Sequence, residues 1–477
     1  MTASALHDPP VEEGPAQLHR EMGFRDLLLF YLVTGFTVRW IATAASAGPS
    51  AIVIWLIACL AFYVPLMFTV LELSSRYPNE GGCYVWSKRA FGDFAGFITG
   101  WTYWACNLPY FPGLFYFTAA AALFIGGPEW RQLADRPLYF IVFSLLALTL
   151  AAGLNVRGLA VGKWLHNLGA IGLWIPGLLL LALGLAAWVR FGSATAFTSE
   201  NIVPSTRLKD IVFWSTIAFS LSGLESASMM GEEIRDARRN IPRALLLAGA
   251  LITTLYVLGT VAILVALPQA EILRLEGFMT AIETVSRRLG VGGLVPVIAV
   301  LIVVGGLGQA GAWFAAGGRL PFVAGLDRFL PAAFGRIHPR YGSPHISLMT
   351  QAGIAALFIL LGQAGTTVKG AYDVLVSMAI ISYFIPYLFM FASMIRLQRE
   401  PVGPDVIRVP GGRPVAVALA ALGFVVTTVS IGLALIPAED EPNKVLAVTK
   451  VAGLTILLLA GGALVYFLGR RREHARS

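Results

Sequence analysis

Charged side chains are scarce in this chain, because Asp, Glu, Lys and Arg together make up only 13% of its 477 residues. Soluble domains average about 25% charged residues. Hydrophobic residues instead account for 57%, with 50 glycines and 29 phenylalanines, as is typical of helices that span a bilayer. The composition excludes a water-soluble enzyme, an acidic disordered protein and a collagen-like fibre. It predicts a polytopic membrane protein.

Cysteine is also rare, and Cys59, Cys83 and Cys106 lack the number and spacing of a disulfide framework or a zinc site. Two loop histidines between residues 338 and 345 have no companion ligands, so neither a metal nor another cofactor is expected. No motif for covalent hydrolysis or ATP binding occurs. The run 306–311 matches G-x-G-x-x-G but lies inside an apolar segment with no preceding strand. The sequence therefore predicts no enzyme.

Long apolar runs divide the chain into twelve candidate membrane spans, since about 20 apolar residues cross a bilayer as a helix. Their predicted ranges are 27–47, 50–70, 94–125, 138–154, 165–189, 211–230, 244–267, 291–318, 346–361, 374–395, 415–436 and 445–468. The dipeptide Gly48-Pro49, a helix breaker, separates the first two. The polar segment before Leu27 contains no core of a cleavable signal peptide, so the first span is expected to direct insertion.

Basic residues are unevenly distributed across this topology. With both termini cytoplasmic, the cytoplasmic segments carry about twice as many Lys and Arg residues as the outer segments, as the positive-inside rule requires. The net charge of +8 and the pI near 9.5 are thus explained by topology, and no nucleic acid partner is expected. The prediction is a multi-pass protein of the inner (plasma) membrane, in contact with lipid, with both ends in the cytoplasm.

Two ionisable residues stand out inside predicted spans, Arg39 in the middle of the first and Glu225 in the sixth. A charge at mid-bilayer costs about 2.5–3.5 kcal/mol, so each is a candidate functional residue. Gly35 and Gly223 lie nearby and weaken their helices. Because many transporters consist of two inverted repeats that each begin with a broken helix, the five-span separation predicts a substrate site at two breaks. The alternative is that both glycines only permit close helix packing.

A family resemblance appears at these residues. Three segments resemble the sixth-helix signature of amino acid permeases in the amino acid–polyamine–organocation superfamily: 223–228 (GLESAS), 231–234 (GEEI) and 238–244 (RRNIPRA). The segments 72–78, 81–86 and 90–92 resemble the family's conserved region after helix two, and 329–338 with 342–344 resembles its loop after helix eight. The resemblance runs in order from about residue 27 to residue 395.

The resemblance implies an all-α fold with a five-plus-five inverted repeat, two further C-terminal helices, and discontinuous helices one and six. The implied divisions are a cytoplasmic tail 1–26, a ten-helix transport core 27–396, a cytoplasmic loop 397–414, two additional membrane helices 415–468 and a cytoplasmic tail 469–477.

The implied substrate site combines both breaks with two aromatic side chains. Its predicted residues are Gly35, Phe36, Thr37, Val38, Arg39, Phe219, Ser220, Ser222, Gly223 and Trp313. In the family, the Phe219 position holds an aromatic gate and the Trp313 position an aromatic ring that stacks on substrate. Glu225 matches a glutamate implicated in proton sensitivity, so it is the predicted proton-coupling residue.

The chain departs from the family pattern at two places. Only one glycine remains in the helix-one break, and Arg39 is unusual there. Leu173 stands where some proton-coupled members carry a lysine, which weakens a lysine-driven symport mechanism. The segments 42–48 and 410–412 resemble the glutamate/GABA-antiporter branch.

The leading hypothesis is a secondary transporter of amino acids that works by alternating access, as an exchanger or coupled to protons. Arg39 would either meet an anionic substrate group or neutralise Glu225. A polyamine or organic-amine carrier on the same fold is the first alternative, and a channel or non-transporting membrane protein is a distant one. Substrate identity and oligomeric state stay open.

Overall fold

A computed structural model of the chain describes residues 23–77, 81–205, 208–226, 228, 234–323, 329–403, 406–437 and 441–474. The predicted tail before Gly23 lies outside the described residues, as do residues 227 and 231–233 of the sixth-helix signature. The described residues form α-helices joined by short loops.

Ten α-helices precede residue 206. They are α1 (Phe24–Gly35), α2 (Arg39–Ala45), α3 (Ser50–Ala58), α4 (Val64–Arg76), α5 (Cys83–Phe91), α6 (Asp93–Ala105), α7 (Asn107–Ala122), α8 (Pro137–Val156), α9 (Leu159–Phe191) and α10 (Ser199–Ile202). A π-helical turn, Cys59–Tyr63, joins α3 to α4.

Eight α-helices follow. They are α11 (Leu208–Ser220), α12 (Ala237–Ala266), α13 (Gly277–Arg288), α14 (Leu294–Val323), α15 (His345–Gln363), α16 (Val368–Leu397), α17 (Gly412–Ala434) and α18 (Lys444–His474).

Nine helical segments among the described residues are long and apolar enough to cross a membrane, and α1 with α2, bent by 46°, forms a tenth. These ten correspond to ten of the twelve predicted spans. The third predicted span is divided at Cys106 into α6 and α7, because Pro109 has no N–H to donate to the carbonyl of Ala105. In the sixth, the α-helix α11 ends at Ser220, and part of the remaining range lies outside the described residues. The total of twelve spans stays a prediction.

Glycines allow α9 and α14 to cross with their backbones in contact. A Cβ built on Gly308 would lie 2.2 Å from the Cα of Gly169, and one built on Gly172 would lie 2.5 Å from the carbonyl oxygen of Leu301. Small residues at such crossings are typical of membrane helices. This packing accounts for the glycines of the run 306–311 without a nucleotide.

The helices differ in how deeply they lie in the bundle. In the most apolar stretch of α16, 78% of the residues are buried, against 28% in α17 and 22% in α18. Thus α16 is central, whereas α17 and α18 lie at the periphery. Around the middle of α16, side chains from α1, α2, α7, α11 and α14 converge.

Candidate functional site

The first helix break lies between Gly35, where α1 ends, and Arg39, where α2 begins. The Nε2 of Gln309 donates to the carbonyl oxygens of Val33 at 3.0 Å and Phe36 at 2.9 Å. The hydroxyl of Tyr256 accepts from the backbone N–H of Thr37 at 3.2 Å and donates to the carbonyl of Gly35 at 3.3 Å. Two buried side chains therefore bind several of the backbone groups that the break leaves outside the helical ladder. The break is a built feature of the fold.

The second break follows Ser220, the last residue of α11. Gly223 has a φ of +99°, and a Cβ built on it would lie 3.0 Å from the carbonyl oxygen of Thr34. A side chain there would be strained by its backbone conformation and would press against the end of α1. Glycine at position 223 thus allows the two breaks to touch each other.

Glu225 has no exposed surface, and hydroxyl groups from two other helices surround its carboxylate. Tyr103 on α6 donates to Oε1 at 2.8 Å, and the backbone N–H of Gly223 donates to Oε2 at 3.1 Å. Tyr383 and Tyr387 on α16 also donate, to Oε1 and Oε2 respectively. A buried charge is tolerated when it is hydrogen-bonded in this way. The carboxylate therefore ties α6 and α16 to the second break.

The hydroxyl of Tyr387 also accepts from the N–H of Gly223, at 3.2 Å. No sequence motif predicts that Tyr103, Tyr383 or Tyr387 contacts Glu225. Tyr383 and Tyr387 are four residues apart and so lie on one face of α16, which is the one sequence signal that connects them. Nothing in the local sequence indicates that Tyr103, more than a hundred residues before Glu225, contacts it.

Arg39 is 1% exposed and lies at the first break, but it does not pair with Glu225. No ion pair with an N–O distance of 4.0 Å or less joins these two described residues. The Cζ of Arg39 instead lies 4.1 Å from the ring centroid of Trp40 and 4.7 Å from that of Tyr110. Of the two alternatives for Arg39, neutralisation of Glu225 is therefore not found among the described residues, because tyrosine hydroxyls already satisfy the carboxylate.

A cavity of about 30 Å³ lies between the two breaks. Six of the predicted site residues line it: Gly35, Thr37, Phe219, Ser220, Ser222 and Trp313. Seven further residues complete the lining: Thr34, Trp40, Cys106, Asn107, Tyr110, Ala379 and Tyr383. Within the described part of the chain, Thr37 Oγ1 and Trp313 Nε1 are buried without a hydrogen-bond partner, so they are free to bind a ligand.

Four predicted site residues lie outside this lining. Phe36 packs against the rings of Trp174 and Tyr256, with centroid distances of 5.1 and 5.2 Å. Val38 is fully buried, Arg39 lies behind the rings of Trp40 and Tyr110, and Gly223 contacts the end of α1. These four residues lie next to the helix breaks, as predicted, but they do not line the cavity itself.

Aromatic rings close this cavity, which has room for little more than water. Phe219 packs edge-on against Trp40 at 5.5 Å and against Tyr383 at 5.7 Å, and Trp313 packs edge-on against Tyr383 at 5.9 Å. Small-molecule pockets usually measure about 300–1,000 Å³. Binding of a substrate here therefore requires these rings to move.

Two further cavities lie beyond Trp40. The first, of about 50 Å³, is lined by Trp40 and Tyr372 and reaches the ion pair between Arg274 and Asp373, whose N–O distance is 3.2 Å. Arg274 also lines a second cavity of about 670 Å³ among the loops. The ion pair thus lies between the surface of the protein and the rings that close the central cavity.

A metal site is not indicated by the residues that the structure describes, since no three His, Cys, Asp or Glu side chains among them are grouped as ligands.

Comparison with known proteins identifies the family. A family model described as "Amino acid permease" matches residues 27–471. An uncharacterized transporter of Legionella pneumophila is 29% identical over 426 residues, which cover 88% of this chain and 90% of that protein. A probable agmatine/putrescine antiporter of Lactococcus lactis is 22% identical, with 92% of this chain and 93% of that protein covered. A glutamate/serine transporter of Bacillus subtilis is 24% identical, with coverages of 86% and 76%.

The fold is also shared with a solved structure. The crystal structure of MhsT in complex with L-phenylalanine matches 95% of this chain and 100% of that chain with a TM-score of 0.59, at 13% sequence identity. MhsT has the LeuT fold, so the predicted all-helical transporter fold is confirmed, while the count of twelve membrane helices and the assignment of discontinuous helices one and six stay predictions. With the family model covering most of its length, the chain belongs to the amino acid permease family, whose members carry amino acids or amines across membranes.

Proposed function

We propose that the protein is a secondary transporter of amino acids that works by alternating access, as an exchanger or coupled to protons. The observation that carries this proposal is a closed cavity between two touching helix breaks, beside a buried carboxylate that is hydrogen-bonded to α6 and α16. Such a site can open to one side of a membrane at a time when these helices move relative to the breaks.

In this proposal, the substrate replaces water between the breaks. Thr37 Oγ1 and Trp313 Nε1 are the unpartnered polar groups at the cavity. The backbone at 35–38 and 220–223 then holds the ammonium and carboxylate groups of the amino acid. Phe219 and Trp40 separate the substrate from the cavities beyond them and must part for the site to open on that side.

Glu225 links transport to protons by changing its hydrogen bonds. The ionised carboxylate accepts all four of its bonds, whereas a protonated carboxyl must donate its own proton. Protonation therefore breaks or reverses at least one of the four hydrogen bonds, and so changes how Glu225 holds α6, α16 and Gly223 together. The proton would bind and leave at a carboxylate oxygen of Glu225 during each cycle.

Uptake of a panel of amino acids into proteoliposomes tests the proposal. Uptake of labelled amino acids is measured with and without an internal counter-substrate, and across an imposed pH gradient. Exchange predicts strong stimulation by internal substrate, and proton coupling predicts stimulation by an acidic exterior. Failure of the folded, monodisperse protein to move any amino acid in either condition would overturn the proposal.

Tyr103→Phe and Tyr116→Phe provide a matched pair. Each removes one buried hydroxyl that makes a 2.8 Å hydrogen bond, but Tyr103 bonds to Glu225 whereas Tyr116 bonds to Gln363. We expect the first substitution to shift the pH dependence of uptake and the second to leave it unchanged. If both substitutions shift the pH dependence of uptake equally, the hydrogen bonds of Glu225 do not determine the pH response.

An organic-amine carrier is the second candidate, and the agmatine/putrescine antiporter among the relatives favours it. A cationic substrate would need the carboxylate of Glu225, which the tyrosines already occupy in this structure. Strong competition by putrescine against amino acid uptake would support this alternative. Ionic current without substrate would instead indicate a channel.

For location, the positive charge bias supports an inner-membrane protein with cytoplasmic termini. Labelling of single cysteines placed in the two tails, by an impermeant reagent added to intact cells, tests this orientation. Labelling of both tails from outside would contradict it.

A further inference from the structure

Arg39 carries a buried positive charge that the described part of the protein does not neutralise. Its side chain is 1% exposed, and Nε and Nη1 have no hydrogen-bond partner there. The faces of Trp40 and Tyr110 stabilise the cation by cation–π contact, but rings cannot accept the in-plane N–H bonds of the guanidinium. A buried cation with unused donors is stabilised by an anion that supplies acceptors.

The position of Arg39 places these donors next to the central cavity. The rings that cover the guanidinium, Trp40 and Tyr110, are themselves part of the cavity lining. Gly113 also lies beside Nη1, where a Cβ built on it would make an ordinary van der Waals contact at 3.7 Å. Rotation of either ring would therefore open the guanidinium to a group that extends from the cavity.

The two buried charges at the site are not equivalent. Glu225 accepts four hydrogen bonds from neighbouring groups, whereas Arg39 has unused donors. A second positive charge on a substrate would have to displace tyrosine hydroxyls from Glu225. A second negative charge would instead meet a guanidinium whose planar arrangement of N–H groups matches a carboxylate.

We propose, on the basis of the transport function above, that Arg39 binds the side-chain carboxylate of a substrate amino acid, and that the protein selects dicarboxylic amino acids. Trp40 and Tyr110 cover this position when the site is empty. Arg39 is thus a specificity-determining residue and is not part of an ion pair with Glu225.

The experiment compares glutamate with its neutral isostere glutamine, and aspartate with asparagine, as competitors for uptake in proteoliposomes. Wild type should prefer each acidic member. In Arg39→Gln, the preference should fall by about tenfold or more, the size expected for loss of a charged hydrogen bond. Arg39→Lys should keep part of the preference, because it retains the charge but loses the planar geometry. Arg287→Gln, which removes an arginine whose side chain is 63% exposed, should leave the preference unchanged.

Other outcomes overturn the inference and leave the transport function intact. Equal uptake of glutamate and glutamine by wild type would overturn it. An equal loss of glutamate and glutamine uptake in Arg39→Gln would also overturn it, since an arginine with only a structural role affects all substrates alike. A third outcome concerns inorganic anions. If wild type takes up glutamate and glutamine in chloride but not in gluconate, and Arg39→Gln takes them up equally in both salts, the guanidinium binds an inorganic anion instead. Absence of all uptake by the folded wild type would instead reject the proposed function itself.

Discussion

Replacing Glu72 with glutamine is expected to lower the free energy of unfolding by about 3–5 kcal/mol, because it breaks a buried ion pair. Glu72 Oε1 accepts from Arg76 Nη2 at 2.6 Å, and both side chains are at most 4% exposed. The same oxygen accepts from Gln398 Nε2 at 2.6 Å, and Oε2 accepts from the backbone N–H of Val409 at 3.0 Å. The carboxylate therefore fastens the loop 397–414 to the end of α4.

The expected magnitude comes from what remains after the substitution. The charge of Arg76 would stay buried without a carboxylate, and the glutamine NH₂ group would face donors. The double variant Glu72→Leu/Arg76→Met should cost less than the sum of Glu72→Leu alone and Arg76→Met alone, since no unpaired charge remains in it. Unfolding of the purified protein in micelles, followed by SDS titration, measures all four variants of this cycle.

Glu400→Gln is the matched control in the same loop. Glu400 also pairs with an arginine, Arg89, at 2.8 Å, but these side chains are 34% and 52% exposed. Exposed pairs contribute at most about 1 kcal/mol. Two results would show that burial is not what makes the Glu72 contact stabilising. One is a wild-type unfolding midpoint in Glu72→Gln, and the other is an equal loss of unfolding free energy in Glu72→Gln and Glu400→Gln.

Three further predictions concern pH, packing and access. Hydrogen bonding from Arg89 holds the pKa of Glu400 below its usual value, so its stabilising effect is present at neutral pH and is lost on acidification. The difference in stability between wild type and Glu400→Gln should therefore begin to shrink near the ordinary glutamate pKa of about 4.3 and disappear only at lower pH, and a constant difference would contradict this. Gly308→Leu should destabilise the protein by about 3 kcal/mol or more, because α9 blocks the added side chain. Gly353→Leu is the control, since its added side chain meets open space. Equal thermal stability of the two variants would refute the close backbone contact between α9 and α14. Arg274→Gln should speed thiol labelling of Ser377→Cys, which lines the cavities beside the broken ion pair, and an unchanged rate would show that the pair does not restrict access.

Much of the fold could be predicted from the sequence, because membrane spans are continuous apolar runs. The boundary at Gly48-Pro49 is confirmed: α2 ends at Ala45 and α3 begins at Ser50. The division of the third predicted span at Cys106 was not predicted, because hydropathy alone does not show that Pro109 lacks a backbone N–H donor. The helix end at Ser220 lies close to the glycine and serine residues that weakened the sixth span.

The site was less accessible to prediction. Charges of opposite sign near the two breaks left two roles open for Arg39, a contact with an anionic substrate group or a pair with Glu225. The structure satisfies Glu225 with neutral hydroxyls from α6 and α16, whereas Arg39 lies against aromatic faces and keeps unused donors at Nε and Nη1. Such neighbours depend on how distant helices pack, which the spacing of residues along the chain does not specify.

The most direct test of the proton-linked mechanism is the pH profile of uptake by wild type and Glu225→Gln in proteoliposomes, at equal protein content. Wild-type uptake should change between acidic and neutral pH and respond to an imposed gradient, because protonation of Glu225 rearranges its hydrogen bonds with the tyrosines. In Glu225→Gln, uptake or exchange should be insensitive to pH. A wild-type profile that is flat, or a variant that keeps the full pH response, would contradict the mechanism.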